Sequence, residues 1–206
     1  DVITAFLQRS PTSALNLAKG TNAIPPGGMF DAYDRYKVSS LIVGANKTFQ
    51  GFAGAQSFTL LAELGWSHVN SLPPPGSLRY GRSDVYGTAQ VTSGALCVDS
   101  TEAQKSCSVD GFVTANAWGY RIRASAAYPD SFFGAALNPS ITFAHDVSGY
   151  SHDATFNQGR MVLETGLRAE WKGQYFAGAV YSVNRGGRYQ IAINRDVLSA
   201  FAGVRF

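Results

Sequence analysis

The sequence predicts an all-β chain: an antiparallel up-and-down transmembrane β-barrel, with about seven or eight strands in these 206 residues. Three observations carry that expectation. Apolar residues recur at every second position in several stretches, connections alternate between short and long, and aromatic residues collect near strand ends. The final stretch shows the pattern plainly. Leu198, Ala200, Ala202, Val204 and Phe206 share one face, while Ser199, Gly203 and Arg205 share the other with Phe201. A side-chain period of two is that of a strand with one apolar and one mixed side. An aromatic at such a strand's end suits the interfacial girdle of an outer-membrane barrel.

Composition narrows the class. The charged fraction is 15%, below the roughly 25% of ordinary soluble domains. No apolar run approaches the ~18 residues of a membrane-crossing helix; the run 41–45 is typical. Barrels conceal their hydrophobicity by alternating it, and the 22 glycines and 13% aromatics fit strands and girdles. The net charge of +3 is small and its basic residues are scattered, which leaves no footprint for nucleic acid. No signal-peptide pattern is present, so Asp1 opens either a mature chain or an internal fragment.

Taken in order, residues 1–38 read as an extracellular loop region, broken by Pro11 and the 25–28 turn signal. Residues 39–206 read as barrel strands. The first, 39–49, puts Leu41, Val43 and Ala45 on one face, and a short turn follows at 50–54. The second has Phe58, Leu60, Ala62, Leu64 and Trp66 opposite Thr59, Glu63 and Ser67. A long polar insert, 70–111, comes next. Alternation resumes over 112–128, followed by a tight turn expected at Pro129-Asp-Ser131. Leu137, Ile141 and Phe143 mark a fourth strand, Met161 to Trp171 a fifth and Tyr175 to Tyr181 a sixth. The strand described first closes the series.

The connections 50–54, 129–134 and 172–174 are short, whereas 70–111, 147–159 and 185–195 are long. In a meander, alternate connections lie at one end, so short turns gather at one end and long loops at the other. Outer-membrane barrels have this asymmetry, with short periplasmic turns and longer extracellular loops. Trp66 and Trp118 fall near the long-loop end; Tyr128, Trp171, Tyr175 and Phe206 fall near the short-turn end. These six are the expected aromatic girdle, in contact with outer-membrane lipids.

The face opposite the apolar band would line the barrel's lumen. It carries Glu63, Arg121, Arg123, Asp146, Glu164, Arg168, Glu170 and Arg205. Mixed charges there set a field across a channel, or brace the interior against each other or a plug. Arg121 and Arg123, two residues apart, are the best candidates for an anion or headgroup contact. Cys97 and Cys107 stand in the long insert, where an oxidising exterior favours a disulfide. A metal site is not expected, because no histidine falls in that insert. His145-Asp146 and His152-Asp153 invite comparison with barrel enzymes. Neighbours on a strand point to opposite faces, however, and no serine has nucleophile-elbow spacing. No catalytic residue and no cofactor are expected.

Several short stretches occur in a familiar order: Asp31-Ala-Tyr-Asp34, Leu78-Arg-Tyr-Gly-Arg-Ser83, Asp110-Gly-Phe-Val-Thr114 and Trp118-Gly-Tyr-Arg121. His145-Asp-Val-Ser-Gly-Tyr150, Gly159-Arg160, Gly186-Gly-Arg-Tyr189 and Arg195-Asp196 continue the series. In these the chain resembles the C-terminal part of the domain-of-unknown-function 1302 family. The resemblance implies a proteobacterial outer-membrane barrel, encoded beside a periplasmic partner protein and an RND-superfamily transporter. It therefore implies handling of hydrophobic or lipid-like cargo; the alternative is a structural barrel with a plugged lumen that docks a partner complex. Family members are longer, and seven strands is an odd count where bacterial barrels have even ones. A missing N-terminal half or a partner chain is the expectation. Gln158 and Asn194 depart from the family pattern, which has Glu and Asp there.

Overall fold

A computed structural model describes residues 34–75, 80–81 and 110–205. Seven strands follow in chain order: β1 (Val38–Gln50), β2 (Ser57–Val69), β3 (Asn116–Phe132), β4 (Ala135–Ser148), β5 (Met161–Trp171), β6 (Tyr175–Arg185) and β7 (Val197–Val204). They form one antiparallel sheet in the order β1 to β7, each strand pairing with its neighbours in the chain. Among the described residues β1 and β7 do not pair, so the sheet keeps two open edges. The strands are those that the alternation predicts, and all the short connections lie at one end.

Two boundaries differ from the expectation. β3 runs past Pro129 to Phe132, so the tight turn is not at Pro129-Asp130-Ser131. The turn is the pair Phe133-Gly134, at φ 52° and 76°, the left-handed backbone that two-residue hairpins require. The β3–β4 register shifts between Tyr128 and Phe132. Pro129, with no N–H to donate, is accommodated in that irregularity. At its other end β3 begins at Asn116 rather than Phe112. Phe112 and Val113 are instead buried at the long-loop end, where Val113, Val69 and Tyr80 form a small core flanked by Tyr36 and Leu72.

Register sorts the two faces. Partners directly across a ladder share a face, and the row Ala45, Ala62, Ile122, Phe143, Leu163, Val183 runs unbroken across six strands. Among the described residues this face is left largely uncovered: Leu41 is 51% exposed, Leu167 50% and Leu198 71%. A contiguous apolar surface of this breadth marks contact with another apolar phase or partner. The opposite row at about the same level is Asn46, Leu61, Arg123, Thr142, Glu164, Ser182 and Val197.

The polar face is the concave one. A cavity of about 360 Å³ touches Ser57 and Thr59 on β2 and also Phe201 on β7. In a flat sheet those strands would stand about 24 Å apart, at ~4.8 Å per strand step. One cavity reaches both because the sheet curls around it. The fold therefore presents a charged, curved interior face and an apolar exterior face.

Candidate functional site

The curved polar face gathers the charged residues that the alternation singles out. Glu63, Arg121, Arg123, Asp146, Glu164, Arg168 and Glu170 all occupy its register positions, and Arg205 follows directly after β7. They separate into distinct groups along the strands.

Near the short-turn end, Arg168 pairs with Glu170 at 2.7 Å and Arg205 reaches the same carboxylate at 3.4 Å. Both guanidinium groups lie over the Phe176 ring, at 5.0 and 5.7 Å from its centre. One aromatic face and one carboxylate thus hold two arginines. Above them runs a band of small polar side chains, Thr48, Thr59, Ser125 and Ser140, at one register level. The Thr48 and Thr59 hydroxyls are hydrogen-bonded at 3.0 Å.

At mid-height Arg121 stands directly opposite Glu63, and Arg123 lies two residues along the same strand. Among the described residues neither arginine forms an ion pair. Two exposed guanidinium groups with open donors can grip a carboxylate or phosphate bidentately.

At the long-loop end the β4–β5 loop, 149–160, folds back over the polar face. Its Phe156 ring lies against Gly65 and Gly119, partners on β2 and β3. The loop is latched to Asp146, which is buried at the end of β4. Arg160 Nε is 2.6 Å from Asp146 Oδ2, and the Asn157 backbone N–H donates to the same oxygen at 2.8 Å. Within the loop, Thr155 donates to Asp153 through both its N–H and its hydroxyl. Burial would raise the Asp153 carboxyl, but these bonds and one from Ser151 hold it down at about 2. Behind the loop lies a cavity of about 550 Å³, lined by Glu63, Arg121, Glu164, Ile42, Val162 and Phe156 among others.

Five of the six expected girdle residues, Trp66, Trp118, Tyr128, Trp171 and Tyr175, lie on the apolar face. Trp66 and Trp118 are register partners towards the long-loop end. Trp171 and Tyr175 are partners at the short-turn end with ring centres 5.9 Å apart. Tyr128 donates its hydroxyl to the Ala53 carbonyl. Phe206, Cys97 and Cys107 lie outside the described residues, as does the segment 1–33. His145 is on the apolar face, edge-on to Tyr120 at 5.6 Å, while Asp146 is on the polar face, so the two point apart. Among the described residues no cluster of His, Cys, Asp or Glu could hold a metal.

The family described as protein of unknown function (DUF1302) matches residues 1–206. The chain belongs to the DUF1302 family. No curated protein and no solved structure matches it. The described parts of the short stretches that carry the resemblance, scattered along the sequence, meet at the long-loop end of the sheet. Tyr80 donates to the Asp34 carboxylate at 2.6 Å, and burial with that bond raises the Tyr80 hydroxyl well above its ordinary value. The rings of Tyr150 and Tyr189 meet edge-to-face at 6.0 Å. Gly186, at φ 66°, packs directly on the Gly159 carbonyl, a place closed to any side chain. Arg185 forks onto Asp196 with one N–O distance of 2.5 Å and another of 3.0 Å.

Gln158 and Asn194, where the resemblance implies Glu and Asp, also have positions. Gln158 Oε1 accepts the Gly149 N–H at 3.0 Å, a role open to an amide as to a carboxylate. Asn194 has φ 58°, a left-handed conformation that Asn and Asp both tolerate. Sequence reasoning had no account of Phe156, of the Arg160 latch or of the Asp34–Tyr80 bond. One signal was available for Phe156: Gly65 and Gly119 interrupt strand patterns, where glycine often marks a close approach.

Proposed function

We propose that this chain is part of a Gram-negative outer-membrane β-barrel that passes or delivers hydrophobic or lipid-like cargo. The observation that carries the proposal is the sorting of the curled sheet. Its convex face is a broad, unpacked apolar surface bounded by aromatic residues, and its concave face carries the charges. Lipid is the solvent that stabilises such a convex face, and strands cross it only when closed into a barrel. From His68 to Phe58 on β2 the apolar face covers ten residue steps, about 33 Å along the strand. At a tilt of ~40° that spans about 25 Å, the height of an outer-membrane barrel's apolar band.

The open edges of β1 and β7 are completed by further strands, from an N-terminal half or from a partner chain. The short-turn end faces the periplasm, where a periplasmic partner and an RND-superfamily transporter would supply or receive cargo. Arg121 and Arg123 contact the cargo's anionic group, and Glu63, Asp146, Glu164, Arg168, Glu170 and Arg205 complete the lumen lining. In the extracellular insert Cys97 and Cys107 form a disulfide, which alkylation followed by mass measurement would reveal.

A second reading is a structural barrel that anchors a partner complex. The inward β4–β5 loop favours it, because a bore filled by its own loops suits anchoring better than passage. Conductance in planar bilayers separates the two. The transport reading expects current that falls when cargo binds, and a growth phenotype on that cargo. No current together with no phenotype would leave only the anchoring reading.

A further inference from the structure

The β4–β5 loop differs from an ordinary extracellular loop in having a built seat. Gly65 and Gly119 face each other across the β2–β3 ladder on the polar face, both without side chains. A Cβ on Gly65 would stand 2.9 Å from Phe156 Cζ, and its three nearest neighbours would all be atoms of that ring. The ring thus occupies a slot that two glycines leave open. Independently, Asp146 binds both Arg160 and the Asn157 N–H, fixing the loop's return to β5. The Arg160 guanidinium also donates to the Thr155 carbonyl, which stiffens the turn carrying Phe156.

The docked loop closes one side of the 550 Å³ cavity. Its lining carries four carboxylates, Glu63, Asp146, Asp153 and Glu164, and two guanidinium groups, Arg121 and Arg160. Asp146 and Arg160 satisfy each other and Asp153 is held by Thr155, which leaves Glu63 and Glu164 as the other carboxylates sharing the lining with Arg121. Phe156, Ile42 and Val162 supply an apolar strip beside them. An apolar ring over a polar bore is a constriction that excludes water and hydrated ions.

We propose that the β4–β5 loop is the selectivity constriction of the bore, seated by Phe156 on Gly65–Gly119 and latched by Asp146. It admits amphipathic molecules whose apolar part can pass Phe156 and whose charged part meets Arg121 and its surrounding carboxylates. This inference rests on the barrel reading above and adds the element that selects the cargo.

The test uses the complete barrel, reconstituted with any partner chain it needs, and the variants Phe156→Ala, Gly65→Ala and the double variant. Heat-modified electrophoretic mobility first establishes that each variant folds. Phe156→Ala should raise single-channel conductance. Gly65→Ala should do the same by pushing the ring off its seat, and the double variant should match Phe156→Ala alone. A second measurement needs no current: the rate at which an aqueous thiol reagent modifies the Arg121→Cys variant in a Cys97→Ser, Cys107→Ser background. Phe156→Ala should accelerate that rate several-fold. An unchanged rate overturns the constriction, whatever the conductance. Accelerated labelling without current in any variant supports a lid over the cavity, overturns the transport reading, and with it the selection of cargo.

Discussion

Phe176 on β6 lies flat over Gly203 on β7, its register partner, and Phe201 lies over Gly178 in the reciprocal arrangement, with a Cβ on Gly178 standing 2.5 Å from the ring. Each phenylalanine fills the space that the facing glycine lacks. The pair joins the last two strands on the concave face and gives Arg168 and Arg205 an aromatic surface to rest on.

Gly203→Ala tests this packing cleanly, because the atoms closest to the added methyl group all belong to the Phe176 ring. We predict a loss of about 1–3 kcal/mol, the usual cost of overpacking a filled site. Equilibrium unfolding in urea from detergent or vesicles measures it. A loss that persists undiminished in a Phe176→Leu background would contradict the contact.

Glu170→Gln should behave differently. Its partners Arg168 and Arg205 are substantially exposed, and ion pairs of that kind contribute under ~1 kcal/mol. Stability should therefore hardly change. Two guanidinium groups would lose their shared carboxylate, and the bore should shift towards anions in a salt-gradient reversal-potential measurement.

The faces should respond oppositely to charge. Leu163 lies in the middle of the apolar row, and Leu163→Arg should cost about 2–4 kcal/mol if that row is near the bilayer midplane. Ser182→Arg, on the concave face opposite Glu164, should be nearly neutral. Equal costs in the same unfolding experiment would mean that both faces see the same solvent.

Asp153 gives a pH signature. Its carboxyl, held at about 2 in the folded loop, has an ordinary value near 4 when unfolded. The loop's added stability is therefore fully present above pH ~4 and is lost as pH falls from there through 2. Pepsin cleavage within 149–160, normalised at each pH to cleavage of an unstructured peptide, should accelerate across that window, and Asp153→Asn should remove the normalised dependence.

The strands and their facing were legible because a period of two, repeated on neighbouring strands, leaves only one way to bury or expose each row. The fate of Pro129 was not, since a proline reads as a turn unless a bulge absorbs its missing N–H. The site was legible by halves. Alternation puts Asp146 on the polar face, but its partner Arg160 lies beyond a loop whose path alternation does not describe. Phe156 was missed for the same reason. Its seat depends on Gly65 and Gly119 coming together across a ladder, and neither glycine indicates alone what covers it.

The central claim is that the apolar face meets lipid. All three tryptophans, Trp66, Trp118 and Trp171, lie on that face near strand ends. The decisive measurement is their fluorescence in vesicles containing brominated phospholipid, compared with quenching by aqueous acrylamide. Strong quenching by bromines set just below the headgroups, weaker quenching by bromines at the bilayer centre and little by acrylamide is the predicted result. Full acrylamide access with no response to brominated lipid would contradict the account.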